Sequence, residues 1–250
     1  MTPDIPLATG KTAPPKRTTS LSRLFSVFAS PGATFNELSE DPHFILCWCV
    51  EIVISFIFGV TLVNRIGVYT MARTALAQSP NTQALSAAQL QTTLKVMAVG
   101  MKISFLAAPV LTIIYILIIA AIFLGLANFL LGYQANYKQS LAMVSYAFLA
   151  MTLYSIIEFI VVLASPNPTS LQFTNLVGTN IGFYLDKNTT SKFLYALGTH
   201  VDLFAIWTVI LLGVGLAKLG GKKGRVGAST SVVVALWLLC ILIFSGLSAL

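Results

Sequence analysis

The chain has 250 residues, of which 56% are hydrophobic and only 9% are charged, with a formal net charge of +7. Soluble domains are about 45–50% apolar and about 25% charged, so this composition excludes an ordinary soluble protein and indicates an integral membrane protein. The 15 basic and 8 acidic residues are scattered and form no basic stripe. No nucleic acid is therefore expected as a partner, and the positive charge is typical of contact with lipid headgroups.

The N-terminal region precedes any segment that could cross a membrane. Residues 1–20 are rich in proline and polar residues and lack the apolar core of a signal peptide, so we predict a disordered cytoplasmic tail. Residues 21–43 form a juxtamembrane segment. Its first part has apolar residues at helical spacing, namely Leu21, Leu24, Phe25 and Phe28. This pattern predicts a short amphipathic helix that lies in the membrane interface, followed by a second short helix after Pro31-Gly32.

Five apolar segments are long enough to cross a hydrocarbon core of about 30 Å. They cover residues 44–62, 103–131, 141–164, 201–219 and 231–247. The sequence therefore predicts an all-α fold, an integral membrane bundle of five transmembrane helices with a short N-terminal interfacial helix. Residues 44–250 are expected to form the membrane domain. Residues 84–100 belong either to an extracytoplasmic hairpin with a turn at residues 79–81 or to a helix continuous with the second span, which Pro109 is expected to kink.

Basic residues indicate the orientation of these spans. Four of them surround the short turn after the fourth span, namely Lys218, Lys222, Lys223 and Arg225. Such a density is typical of a cytoplasmic loop. Alternation then places the N-terminus in the cytoplasm and Leu250 outside, with nine of the 15 basic residues inside and six outside. We expect a bacterial inner membrane, or a Golgi or endoplasmic-reticulum membrane if the source is eukaryotic.

Two acidic residues, Glu51 and Glu158, lie inside predicted spans. A carboxylate in hydrocarbon is costly unless it is protonated, paired or exposed to water, so both are candidate intramembrane functional residues. Their predicted depths differ by about 15 Å at ~1.5 Å per residue, and we do not expect them to share one site. Glu158 is placed to meet His200, Asp202 or Lys192. Structural pairing or protonation and proton or ion handling both remain open as roles.

Catalytic signatures are absent from the sequence. It contains no zinc-protease His-Glu-x-x-His pattern, no Gly-x-Ser-x-Gly elbow and no glycine-rich phosphate loop. The two histidines lie far apart without a nearby acidic cluster, and the three cysteines form no Cys-x-x-Cys pair. We therefore expect no catalytic residue, no metal and no cofactor. The sequon that begins at Asn188 would matter only in a eukaryote.

Two spaced motifs and one further segment carry a likeness to a known family. The first motif is Phe28-Ala29-Ser30-Pro31-Gly32-Ala33-Thr34-Phe35, before the first span. The second is Asp202-Leu203-Phe204-Ala205-Ile206-Trp207, which opens the fourth span. Together with the start of the third span around Tyr146, they resemble the bacterial branch of the Yip-domain (Ypt-interacting protein) family. The family-motif positions are Ser30, Pro31, Thr34, Phe35, Tyr146, Asp202, Leu203, Phe204 and Trp207.

The resemblance implies five spans and a cytoplasmic N-terminus. Eukaryotic members interact with Rab-type GTPases, but this chain has no Asp-Leu-Tyr-Gly-Pro segment of the eukaryotic kind, and a Rab-type GTPase is not expected here. The expected partners are the lipid bilayer and other membrane or cytoplasmic proteins. The sequence thus predicts a non-catalytic membrane-organising or partner-binding scaffold. The alternative is a transporter or channel subunit that uses Glu51 and Glu158, for which Asn128 and Pro109 are further polar or kinking positions.

Overall fold

The computed structural model describes residues 19–77, 86–171, 175–187 and 189–249. These residues are mainly α-helical, and the predicted all-α fold is confirmed. The helices are α1 Ser20–Ala29, α2 Pro31–Glu40, α3 Ile45–Arg65, α4 Val68–Ala77, α5 Ala87–Gly125, α6 Tyr137–Ala164, α7 Lys192–His200, α8 Leu203–Leu219 and α9 Val226–Ala249. Four predicted features lie outside the described residues: the tail except for Thr19 and Ser20, the turn at 79–81, Asn188 and Leu250.

Helices α3, α5, α6 and α9 have the length and apolar composition needed to cross a membrane. The fourth predicted span corresponds to α8, which is apolar but has only 17 residues, or about 26 Å at ~1.5 Å per residue. Helix α6 starts four residues before the predicted boundary at 141, because Asn136 caps it. The Asn136 side chain accepts a hydrogen bond from the Gln139 amide at 3.0 Å, and the Gln139 side chain accepts one from the Asn136 amide at 2.9 Å.

Helix α5 is continuous from Ala87 through the second predicted span. A capping box between Ser86 and Gln89 fixes its start, and Pro109 lies inside the helix without ending it. Of the two alternatives for residues 84–100, the structure has the helix continuous with the span. A π-helical turn, Leu126–Leu130, closes this helix. Asn128 holds the loop that follows, since its side chain donates to the Ala135 carbonyl and accepts from the Ala135 amide, both at 2.9 Å.

Helix α6 is the centre of the bundle. Every residue from Ser140 to Ala150 is buried except the half-buried Phe148, so this part of α6 is covered on all sides by α1, α2, α3, α5 and α8. Helix α8 approaches both α6 and α9 closely at two glycines. A Cβ atom at Gly215 would collide with Met143 on α6, and one at Gly213 would collide with Thr230 on α9. The absence of a side chain at Gly213 and Gly215 therefore allows these helices to approach one another closely.

Candidate functional site

The first family motif forms the turn between α1 and α2. Ser30 ends α1 and immediately precedes α2, and Pro31 occupies the first turn of α2, where a missing backbone N–H carries no cost. The Thr34 hydroxyl lies 3.1 Å from the Ser30 carbonyl and 2.8 Å from the Ser26 hydroxyl. These contacts join the two short helices into one unit, which we call the N-terminal hairpin and define as residues 20–40.

The N-terminal hairpin packs into the bundle through its apolar face. Phe35 is 1% exposed and lies against the position where Gly215 leaves room on α8. Leu24 and Val27 on α1 belong to the same hydrophobic core as Tyr146, which is fully buried on α6. Part of α1 is therefore held by protein. Because the packed face starts at Leu24, the predicted apolar stripe is divided: Leu21 and Phe25 stay 60% and 71% exposed.

Arg23 is the buried charge of the N-terminal hairpin. It is only 3% exposed, and its guanidinium lies 3.2 Å from the Glu37 carboxylate and 3.5 Å from that of Asp41. It also donates to the Asp41 carbonyl at 3.3 Å. From sequence, Arg23 was predicted only as one of the nine basic residues on the cytoplasmic side. The signal that could have revealed its burial is the presence of two acidic residues, Glu37 in α2 and Asp41 just after it.

The second family motif begins with a helix cap. One oxygen of the Asp202 carboxylate accepts the amides of Phe204 at 2.7 Å and Ala205 at 3.3 Å, so Asp202 is the N-cap of α8. The other oxygen accepts the hydroxyl of Thr179. The backbone of Asp202 also forms an isolated bridge with Asn180. The carboxylate thus joins α8 to the loop that follows α6.

Aromatic contacts bring the two family motifs together. Trp207 on α8 meets Phe28 on α1 edge to face, with ring centroids 6.0 Å apart. Phe204 contacts Tyr154 on α6 at 5.5 Å. Leu203, in contrast, is 58% exposed. The aromatic side chains of the motifs therefore help to fasten the N-terminal hairpin, α6 and α8 to one another.

Glu51 lies in a different part of the bundle and has no such partners. The residue is 4% exposed, and no hydrogen-bonding atom among the described residues pairs with either carboxylate oxygen. It contributes to the wall of a cavity of about 180 Å³ between α3, α5 and α6. Four hydroxyl residues share that wall, and they are Ser55, Thr112, Thr152 and Ser155. The carboxyl group and the hydroxyls together give this cavity a partly polar wall.

Glu158 lies apart from Glu51 and is half-buried near Tyr154 and Asp202. Helices α3 and α6 are held side by side by two contacts. The Trp48 indole donates to the Ser145 hydroxyl at 2.9 Å, and the Arg65 guanidinium donates to the Leu163 carbonyl at 3.1 Å. This register places Glu51 level with residue 148, which is about 15 Å before Glu158 along α6. The structure therefore does not bring the two acids together.

Three neighbours were predicted for Glu158, and Asp202 is the one found beside it. His200 instead pairs its ring with Phe244, at a centroid distance of 6.4 Å. The Asp202 carboxylate is used by the cap, and Thr179 contributes a hydroxyl to the same region. The surroundings of Glu158 are thus a polar cluster at one end of α6. Thr179 and Tyr154 were not predicted as neighbours of Glu158, because nothing in their spacing connects them to α8.

The motifs that meet in this structure extend over almost the whole chain, and so does the family match. The model described as "Yip1 domain" matches residues 25–247. The chain belongs to the Yip1 domain family. A curated relative is "Membrane protein YknW" of Bacillus subtilis (strain 168), which is 26% identical over 226 residues, 90% of each chain. No solved structure matches the chain.

The Yip1 domain match and the Bacillus relative together confirm the resemblance to the bacterial branch of the family. Its first residue, Phe25, lies in α1, so the matched region includes nearly all of the N-terminal hairpin as well as α3 to α9. Together with the four long apolar helices, the match shows that the chain is a multipass membrane protein. The match does not specify the biochemical role of the chain.

Proposed function

We propose that this Yip1 domain protein is a non-catalytic scaffold of a bacterial inner membrane, which organises the membrane or binds other membrane or cytoplasmic proteins. One observation carries the proposal. The buried family-motif side chains hold elements of the bundle together: Phe35 packs the N-terminal hairpin against α8, Phe204 contacts α6, and Asp202 caps α8. None of the nine motif residues lines the Glu51 cavity. A motif that builds a fixed surface favours recognition of a partner over chemistry.

The surface available for a partner includes the outward side of α1. Phe25 and Leu21 are exposed there although their helix is packed, and apolar side chains on a fixed element are typical of contact residues. Phe25→Ser is expected to remove protein partners while leaving the bundle intact, because Phe25 makes little contact with the core. Phe129→Ser is the matched control, since Phe129 is 94% exposed and lies outside the N-terminal hairpin.

Affinity capture from native membranes tests this expectation. The proteins recovered with the unmodified chain should be depleted with Phe25→Ser and retained with Phe129→Ser, at equal amounts of each variant in the membrane. Equal recovery of partners with both variants would show that α1 is not the binding surface. A catalytic turnover detected in the purified protein would contradict the scaffold itself.

The proposal includes the topology of the bundle. With α8 as the fourth crossing, five helices place the N-terminus and the loop of residues 220–225 in the cytoplasm and Leu250 outside. The 17 residues of α8 are at the lower limit for a crossing helix. A reporter that is active only in the cytoplasm should be silent when it is fused after Leu250. Activity there would mean that the number of crossings is even.

A transporter or channel subunit is the second candidate function, and the Glu51 cavity is the observation that favours it. A buried acid facing hydroxyl groups is typical of proton and cation pathways in membranes. Other features support it less. The Asn128 side chain is used by its own loop, and Glu158 lies about 15 Å farther along α6. Replacement of Glu51 by glutamine separates the two candidates, because only a transport role needs the carboxyl group.

A further inference from the structure

The loop between α8 and α9 has a fixed shape that its glycines permit. It contains the 3₁₀ turn Gly221–Lys223, and Gly221 has a positive φ of 52°, which favours glycine. A Cβ atom at Gly224 would collide with the Ala217 carbonyl oxygen. The amides of Lys223 and Gly224 bond back to the carbonyls of Gly220 and Gly221 at 3.0 and 3.1 Å. The loop is therefore folded tightly against the end of α8.

A buried tyrosine supports this loop from the other side. Tyr133 is 6% exposed, and a Cβ atom at Gly220 would lie 2.7 Å from its ring. The Tyr133 hydroxyl is 3.1 Å from that of Ser229 and accepts the Arg225 amide at 3.4 Å. The start of α9 is thus tied to the loop after α5. This arrangement fixes where Arg225 and the neighbouring lysines leave the backbone.

Two adjoining pockets open on this loop. Their volumes are about 380 and 320 Å³, within the range of about 300–1,000 Å³ that is usual for small-molecule sites. Both are lined by Tyr133, Lys222 and Lys223, and the larger one also by Arg225. Among the described residues, no carboxylate lies within ion-pair distance of Lys222, Lys223 or Arg225. The ion pairs in the described part of the chain lie elsewhere in the fold and involve Arg23 and His43.

The first turn of α9 adds backbone donors to the same place. Its first intrahelical hydrogen bond runs from the Ser229 amide to the Arg225 carbonyl, at 3.0 Å, so the amides of residues 226–228 precede it and Ala228 lines the larger pocket. Helix N-termini and cationic side chains both favour an anion. The walls next to the cations are apolar, with Leu131 in one pocket and Leu219 in the other. Phe129 and Leu130, close by in the chain, are 94% and 62% exposed.

We propose that this pocket binds the phosphate headgroup of an anionic glycerophospholipid, with the acyl chains along the apolar side near Phe129 and Leu130. The charge selects a phosphodiester, and the apolar wall selects one that carries a lipid. Pockets of this kind between transmembrane helices suit such headgroups. The site does not depend on the scaffold proposal, because it lies outside the N-terminal hairpin and away from the Glu51 cavity.

The experiment measures binding of a short-chain phosphatidylglycerol to the full-length protein in neutral detergent, by native mass spectrometry. The variant carries Lys222→Gln, Lys223→Gln and Arg225→Gln together. A cation near an anionic lipid contributes about fivefold in affinity, so the triple variant should bind about 100-fold more weakly. The control removes three exposed cations elsewhere, Lys95→Gln, Lys102→Gln and Lys192→Gln, and should change binding by less than about twofold.

A second variant tests the geometry without changing the charge. Tyr133→Phe keeps the ring but removes the hydroxyl that accepts the Arg225 amide, and it should weaken binding about fivefold. Three competitions on the unmodified protein need no variant at all. Phosphatidylglycerol of a second chain length should displace the probe, whereas phosphatidylcholine and free glycerol phosphate should not.

Opposite results would overturn the proposal. Equal loss in the two triple variants would mean a diffuse attraction to positive charge. Displacement by phosphatidylcholine at the same concentration would mean that the headgroup charge is not recognised. Displacement by glycerol phosphate at the concentration of the lipid would make this a site for a soluble anion. Unchanged binding in Tyr133→Phe would show that the shape of the loop is not used.

Discussion

Asp202 and Glu51 are both buried acids of one helical bundle, with 8% and 4% of each residue exposed, but their surroundings are opposite. Asp202 accepts two backbone amides and the hydroxyl of Thr179. Glu51 accepts no hydrogen bond from any described residue. The first carboxylate is used fully by the fold. The second lies at a cavity and forms no hydrogen bond that would hold elements of the fold together.

This comparison shows that burial alone does not distinguish a structural acid from a functional one. A buried polar group without partners costs about 1–3 kcal/mol or more, so a protein that keeps one is either neutralising it or using it. The number of hydrogen-bond donors around each carboxylate therefore predicts whether its replacement lowers the stability of the protein. Removing Asp202 should destabilise the protein, whereas removing the charge of Glu51 should not.

The largest effect is expected from Asp202→Ala. This change removes the cap of α8 and the contact to the loop that contains Thr179, and the free energy of unfolding should fall by about 2–4 kcal/mol. Asp202→Asn is the matched control, because asparagine caps helices nearly as well, and it should lose less than about half as much. Thermal unfolding in detergent, followed by tryptophan fluorescence, measures both. A smaller loss for the alanine variant than for the asparagine variant would contradict the capping role.

A buried cation extends the comparison, since Arg23 resembles Asp202 in having partners. Arg23→Gln should lower the free energy of unfolding by about 1–2 kcal/mol. The loss should be smaller than the roughly 3–5 kcal/mol typical of breaking a buried pair, because the carboxylates of Glu37 and Asp41 are about one-third exposed and stay solvated. Lys138→Gln, at an exposed cation of α6, is the control. Chemical unfolding gives the free energy of unfolding of both variants. Equal losses would show that the ion pairs of Arg23 do not stabilise the protein.

The order of helices and their apolar composition could be predicted from sequence because long apolar runs have few alternatives in a membrane protein. The bounds were less accurate where a cap extends a helix, as Asn136 does for α6. Helix α8 has only 17 residues, so the crossing at residues 201–219 stays a prediction. Residues 84–100 were ambiguous because their amphipathic pattern fits both an exposed helix and the start of a longer one.

The candidate residues could be selected from sequence more readily than their neighbours could. Glu51 could be selected because an acid inside an apolar run is rare. The hydroxyl residues around it could not, since their grouping depends on how α3, α5 and α6 rotate against one another. The same reason hid the burial of Arg23, which depends on the angle of the turn at Ser30. The structural use of Asn128 was missed, because a hydrogen bond to Ala135 across a loop leaves no pattern in the sequence.

Glu158 should behave as an intermediate case, because it has Tyr154 nearby but also the like charge of Asp202. Glu158→Gln keeps the shape and some hydrogen bonding, and it should change the free energy of unfolding by less than about 1 kcal/mol. Glu158→Ala leaves a gap and a tyrosine without its neighbour, and it should lose about 1–2 kcal/mol. Accumulation in the membrane and thermal unfolding compare the two. A glutamine variant that is as unstable as the alanine variant would show that the charge itself is needed.

The smallest change in stability is expected from Glu51→Gln. Glutamine has nearly the same shape and no charge to desolvate, so the free energy of unfolding should stay the same or rise by up to about 1 kcal/mol. Ser55→Ala is the control on the same cavity wall, because it removes a hydroxyl and leaves the carboxyl group in place. Both variants should accumulate normally. Measurements of stability therefore cannot distinguish the two candidate roles of Glu51, and a functional measurement is needed.

Flux through reconstituted vesicles makes that distinction. Under the scaffold proposal, vesicles that contain the unmodified protein should move protons and monovalent cations no faster than empty vesicles, and Glu51→Gln should retain all captured partners. A proton or cation carrier needs a group that can release a proton or offer a charge, and glutamine does neither. Flux that is present in the unmodified protein, survives Ser55→Ala in part and disappears in Glu51→Gln at equal protein level would contradict the scaffold. Such a result would show that the Glu51 carboxyl group takes part in transport through the cavity. Asp202 and Glu51 would then differ in function as well as in their hydrogen bonds.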